Sequence, residues 1–226
     1  MTKAVLIAGL LMPSCATTFH SWVQKDTCTT DRQTERGYPS VGMLWGSGGL
    51  SICTATLVAR DIVLTAGHCV GDDMLFTPDG RILYSAALLW ADSEDGPLHD
   101  TALLLLDRPV SGIRPAGLSS RVDRDHDLRF VGYGCFARCK AGDTVYKVGT
   151  GRKTSAVLDG ETWQPAWYAL DRWYPCGGDS GGPVFDRETG KIVAILVAGS
   201  ATHRWSAPVS AELRARVEAL RIEAAP

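Results

Sequence analysis

The run Pro175-Cys176-Gly177-Gly178-Asp179-Ser180-Gly181-Gly182-Pro183-Val184 limits this chain more than any other stretch. Four glycines surround a single serine, just ahead of a strand-like segment. Glycine is selected where the backbone takes a positive φ or comes close to a ligand. A serine in such a turn exposes its hydroxyl, and the neighbouring backbone N–H groups are left to converge on one point. Acyl transfer needs that pairing, a nucleophile beside donors for a developing oxyanion. The rest of the chain then has to supply a base, a carboxylate to orient it, and a scaffold.

The scaffold reads as rich in strands. Among 226 residues, 24 glycines and 11 prolines favour a turn-rich β fold over a helical bundle. With 45% hydrophobic residues the chain can bury a large core. A net charge of −2 gives no reason to expect nucleic acid or an acidic membrane surface as partner.

The first 15 residues read as an export signal. Lys3 is followed by an unbroken apolar run from Ala4 to Met12, then Pro13-Ser14-Cys15-Ala16. The run is too short to span a bilayer, which takes roughly 20 apolar residues. The competing reading is a buried first strand or helix. Cys15 stands where bacterial lipoprotein signals carry their lipidated cysteine, so it is a candidate lipid anchor; plain cleavage and a retained segment are the alternatives. Export implies an oxidising compartment in which cysteines pair. Six cysteines remain without Cys15: Cys28, Cys53, Cys69, Cys135, Cys139 and Cys176. That number suits three bridges, with connectivity open.

Residues 16–37 are polar and aperiodic, an N-terminal arm. Strands are expected at Cys53–Ala59 and Ile62–Thr65, the second running into the small-residue corner Ala66-Gly67-His68-Cys69. Further strands are expected at Arg81–Trp90 and at Leu103–Leu106, the latter buried on both faces because four leucines follow one another. The charged tip Asp123-Arg124-Asp125-His126-Asp127 reads as a solvated turn linking two halves. Strands follow at Leu128–Gly134, Thr144–Val148, Trp167–Leu170 and Ile192–Val197. Leu213, Val217 and Leu220 then recur at helical spacing, with Ser210 as N-cap.

Three residues have complementary chemistry. His68 sits at a strand-to-turn corner, and histidine is the usual base for a serine hydroxyl at neutral pH. Asp100 precedes a buried apolar strand, where a carboxylate needs a donor such as an imidazole N–H. Ser180 is the nucleophile. Each alone has an ordinary structural reading; together they form a catalytic set.

The blocks Leu64-Thr65-Ala66-Gly67-His68-Cys69, Asp100-Thr101-Ala102-Leu103-Leu104 and Cys176 to Pro183 resemble the signature blocks of trypsin/chymotrypsin-like serine proteases, in that family's order. Cys53 to Val58 resembles the segment before the histidine block, and Phe130 to Gly134 the first strand of the family's second barrel. The resemblance implies an all-β fold of two antiparallel six-stranded β-barrels, about 38–122 and 123–226, with the active site in the cleft between them and a C-terminal helix. It implies His68, Asp100 and Ser180 as the triad. It also implies the backbone N–H groups of Gly178 and Ser180 as the oxyanion hole, and a Cys53–Cys69 disulfide. The protein is then expected to act on polypeptides as an exported monomer, with no cofactor and no metal site.

Two departures from the family pattern stand out. No Ile-Val-Gly-Gly segment occurs in residues 16–40, so no new N-terminal ammonium is at hand for Asp179. Asp179 is expected to take another partner, such as an arginine, or to lie in a solvated turn. The pocket-base position falls on Tyr174, where an aspartate would signal cleavage after Lys or Arg, so no trypsin-like preference is expected. Val197, Ala198 and Gly199 resemble the strand that pairs with substrate, and Gly199 leaves the pocket entrance open. Cys176 lacks its usual downstream partner; it pairs with Cys28, Cys135 or Cys139 or is free, and the choice stays open. These departures carry a second reading of the same fold, an inactive protease homologue that binds proteins.

Overall fold

The computed structural model describes residues 26–27, 33–34, 36–46, 52–92, 99–123, 125–134, 144–145, 153–158, 177–199 and 204–223. Two short strands come first, Asp26–Thr27 (β1) and Gln33–Thr34 (β2). Then Val41–Trp45 (β3), Ile52–Leu57 (β4), Ile62–Thr65 (β5), Met74–Thr77 (β6), Tyr84–Ala91 (β7) and Ala102–Leu106 (β8) close into a barrel. Its order is β3-β4-β5-β8-β7-β6, with every pairing antiparallel.

The second half adds Leu128–Gly132 (β9), Thr144–Val145 (β10), Thr154–Leu158 (β11), Pro183–Asp186 (β12), Ile192–Gly199 (β13) and Arg204–Pro208 (β14). A six-stranded antiparallel sheet runs β14-β13-β12-β9-β11-β2, and β1 pairs with β10. The fold is thus the expected all-β, two-barrel arrangement. The N-terminal arm takes part in it, because Gln33 and Thr34 pair with Ser155 and Thr154.

Burial explains how the halves join. In β4, Ala55 and Leu57 are fully buried, yet so are Thr54 and Thr56 on the opposite face. A strand buried on both faces lies between two layers. One core cluster accordingly contains Leu57, Leu64 and Leu104 of the barrel together with Val131, Ile195 and Val197 of the second sheet. A smaller cluster of Leu128, Phe130, Val184, Val193 and Leu196 packs within the second sheet.

The Leu103–Leu106 segment departs from expectation. Leu103, Leu104 and Leu106 are buried, but Leu105 is 42% exposed. Leu103 and Leu105 share a face by the two-residue period. That face is covered at the Leu103 end, nearest Asp100, and open further along.

The terminal helix Ala211–Glu223 (α1) starts as expected, with the Leu213 N–H donating to Ser210 Oγ at 3.0 Å. Leu213 and Val217 enter the shared core, and Leu220 packs against it. Arg221 then donates to the carbonyls of Val58 and Ala116, fixing the helix end to the first barrel.

The charged tip is only partly a solvated turn. Asp123, Asp125 and Asp127 are exposed, but His126 Nδ1 lies 2.9 Å from Oδ2 of the buried Asp186. The imidazole is held above its usual range, first by this bond, against the opposing effect of burial, and further by the charges of Asp186, Glu188 and Asp123. Of the remaining expected strands, Thr144 and Val145 form β10, while the rest of Thr144–Val148 and all of Trp167–Leu170 lie outside the described residues.

Candidate active site

The strand β5 ends at Thr65, and the chain turns through one 3-10 turn, Gly67–Cys69. The small residues at this corner let a second segment come close. Gly67 N–H donates to the Asp100 carbonyl at 3.1 Å, and a Cβ on Gly67 would lie 2.7 Å from Asp100 Oδ1. The glycine thus makes room for the carboxylate beside His68.

Asp100 uses both oxygens on one residue. Oδ1 accepts the His68 backbone N–H at 2.8 Å, and Oδ2 lies 2.5 Å from His68 Nδ1. Burial opposes ionisation of Asp100. The bond from the His68 ring, its charge, and the backbone N–H groups of His68 and Gly67 outweigh that, and the carboxyl is held below its usual range. An ionised carboxylate can only accept, so Nδ1 must carry the ring proton and Nε2 is left as a base. The His68 side chain is 46% exposed. The adjacent His99 is engaged elsewhere, with Nδ1 at 3.1 Å from Asp92 Oδ2.

The serine turn is seated against the same corner from the other half. Gly178 has φ +102° and Gly181 φ +79°, conformations that favour glycine. The Ser180 carbonyl accepts the Thr54 N–H at 2.8 Å. A Cβ on Gly181 would strike Thr54 O and Thr65 Oγ1 and lie 2.9 Å from Ala66 N, two residues before His68. The turn therefore lies flush against the backbone that leads into the histidine. No direct hydrogen bond joins Ser180 to His68 among the described residues.

Asp179 does not lie in a solvated turn. It is fully buried and its Oδ1 accepts the Gly134 N–H at 2.8 Å. Gly132 and Gly134 carry no side chain where the carboxylate sits, and a Cβ on either would come within 2.5 Å of Oδ1.

A family model described as Trypsin matches residues 28–210, most of the chain. The chain belongs to the trypsin family. Membership places it among the serine-type endopeptidases. A search of curated proteins returns no significant match. Among solved structures the trypsin-family chain resembles a Glu endopeptidase in complex with MPD (17% identity, TM-score 0.64, 88% of this chain and 99% of that one). It also resembles the serine endoprotease from Yersinia pestis (14%, 0.58, 84% and 65%) and a thermostable serine protease from an extremophilic microorganism (17%, 0.57, 82% and 98%). At these identities the likeness is one of fold.

Cys53 and Cys69 of the trypsin-family chain form the expected disulfide, with Cα atoms 6.2 Å apart. The donor atoms of Cys53, His68 and Cys69 lie within 4.8 Å of one another, but both sulfurs are spent in that bond. Tyr174, Cys15, Cys28, Cys135, Cys139 and Cys176 lie outside the described residues. Val197 is in β13, where the register with β14 shifts between Leu196 and Ala198. Its side chain is buried in the core. Ala198 and Gly199 pair with Trp205 and Arg204. Sequence reasoning missed Thr54, Gly132 and Gly134, which hold the serine turn in place. Gly132 and Gly134 stood out only as glycines at a strand end.

Proposed function

We propose that the chain is an exported serine endopeptidase that hydrolyses peptide bonds through an acyl-enzyme. The observation that carries the reading is the pair of hydrogen bonds between His68 and Asp100, set against a glycine-rich turn bearing Ser180. Ser180 Oγ attacks the scissile carbonyl while His68 Nε2 takes its proton. Asp100 keeps Nδ1 protonated and stabilises the imidazolium. The oxyanion is held by the N–H groups of Gly178 and Ser180, neither of which donates to an acceptor among the described residues. The imidazolium then protonates the departing amine, and the C–N bond breaks. In the second half His68 Nε2 takes a proton from the water that attacks the ester, then returns it to Ser180 Oγ as the C–O bond breaks and the acid leaves. No cofactor is needed.

Support for catalysis over the inactive homologue comes from the trypsin-family match together with the presence of His68, Asp100 and Ser180. The Tyr174 position and the backbone of Val197–Gly199 are assigned to substrate binding, without a preference for Lys or Arg. Export to the periplasm or beyond is supported by the apolar N-terminal run and by the Cys53–Cys69 bond. No helix among the described residues is long and apolar enough to cross a membrane. We assign a monomer, with Cys15 as candidate lipid anchor.

The test is a fluorophosphonate probe on the folded protein, with mass mapping of the adduct. Labelling at Ser180, lost in Ser180→Ala along with peptide hydrolysis, is expected. Folded protein that stays unlabelled would overturn the reading.

A further inference from the structure

The geometry points to Thr54 as a positioning residue that holds the Gly178–Ser180 turn in its working shape from across the cleft; this rests on the endopeptidase reading above. Thr54 is on β4 of the first barrel and is fully buried. Its hydroxyl has two partners in the second half: the Tyr133 N–H at 2.9 Å and the Gly178 carbonyl at 2.7 Å. A backbone N–H can only donate, so the hydroxyl oxygen accepts there. The single hydroxyl proton is thereby committed to the Gly178 carbonyl. The direction of both bonds is fixed by chemistry.

The same residue acts a second time through its backbone, since Thr54 N–H donates to the Ser180 carbonyl at 2.8 Å. Between these two pinned carbonyls lies the peptide unit carrying the Ser180 N–H. The intervening side chain is pinned as well, with Asp179 Oδ1 taking the Gly134 N–H. Tyr133 and Gly134 thus present consecutive amides, one to the Thr54 hydroxyl and one to the Asp179 carboxylate. Gly178, Asp179 and Ser180 are each tied to the scaffold, and two of the three ties are made by Thr54. Its carbonyl is fixed in turn by the Thr65 hydroxyl at 2.9 Å.

Residues 16–40 hold no Ile-Val-Gly-Gly segment, and the Thr54 hydroxyl is an internal tie on this turn. It belongs to the barrel that carries His68, so it also sets the distance between base and nucleophile. Thr54 touches no reacting atom, and its effect must therefore appear in the chemical step more than in substrate binding.

The test is Thr54→Val, which keeps the shape and the N–H but removes the hydroxyl. Thr54→Ser restores the hydroxyl. Thr56→Val is the control, because Thr56 is equally buried on the same strand and its hydroxyl has no partner. We expect Thr54→Val to lower kcat on a peptide amide by about 10- to 100-fold, less than loss of an oxyanion donor itself. KM should stay within about threefold and Thr54→Ser should recover most of kcat. Amide hydrogen exchange is read in parallel. Thr54→Val should speed exchange at Tyr133, Gly134 and Gly182, and Thr56→Val should not. Equal kcat in Thr54→Val and Thr56→Val, or no recovery in Thr54→Ser, overturns the assignment. If the parent proves unreactive toward the fluorophosphonate, the endopeptidase reading fails. Exchange then judges Thr54 alone, unchanged rates overturning its role and faster rates upholding it.

Discussion

The buried carboxylate of Asp179 offers a test in which the structure sets the magnitude. The perturbation is Gly134→Ala. The backbone at Gly134 does not take a positive φ, so alanine meets no conformational objection. The objection is steric. The new Cβ would lie 2.5 Å from Asp179 Oδ1 and closer still to Cγ and Oδ2. Ordinary contact begins at 3.4 Å and the nearest of these atoms is at 2.3 Å, so the groups must part by about 1.1 Å. Asp179 has no solvent to retreat into, being 0% exposed. A shift of that size also breaks the 2.8 Å bond from the Gly134 N–H. Overpacking typically costs about 1–3 kcal/mol and a buried acceptor losing a donor about 1–3 more, so about 2–6 kcal/mol together. For a domain of this size that is a fall in Tm of roughly 5–20 °C. The assay is thermal unfolding followed by circular dichroism, with Gly71→Ala as control, because a Cβ at Gly71 meets nothing within 4 Å. If Gly134→Ala melts within about 2 °C of the parent, the pocket around Asp179 has slack and the reasoning fails.

Three further outcomes are expected. Asp100→Asn cannot accept from both the His68 N–H and a protonated Nδ1, so the ring proton moves to Nε2; kcat should fall about 10,000-fold, and a loss under tenfold would refute the tautomer argument. Replacing Cys53 and Cys69 together by alanine opens a loop of 16 residues and should cost about 3 kcal/mol, read as a lower urea midpoint. For His126 the folded pKa is raised, so its stabilisation is complete in acid below the ordinary histidine pKa and is lost as pH rises through the folded value. The Tm difference between parent and His126→Gln should therefore be larger at about pH 5.5 than at about pH 9. Equal differences at both would show that the imidazole's charge is not used.

The candidate catalytic set was legible because its residue types are chemically forced and its neighbours are small. Gly67 and Gly181 signal close approach in sequence, and the structure places Gly67 against Asp100 of its own barrel and Gly181 against Thr54, Thr65 and Ala66 of the other half. The Ser210 cap and the Leu213–Val217 stripe were readable because capping and helical period are local. What the residues could not reveal is non-local. Thr54 reads as an ordinary β-branched strand residue, and its role arises from partners 79 and 124 positions away. The exposure of Leu105 was hidden for a similar reason, since an apolar run does not say where a covering layer stops. His126 looked solvated because its acidic partner Asp186 is 60 residues on.

The pairing of β2 with β11 has a consequence for how the chain is assembled. Gln33 and Thr34 complete a sheet whose next strand begins at Thr154, and the whole first barrel lies between them. The first barrel is topologically an insertion, closed by Leu106 and able to form as soon as that residue is made. The second must wait for its own opening strand to be met by residues about 120 positions later. Long loop closures of this kind are slow. During synthesis the finished barrel would stand for some seconds, at about 5–20 residues per second, with the buried face of β4 and its threonines uncovered. A chain begun at β3 would lack β2 and leave the β11 edge open to pairing with another molecule.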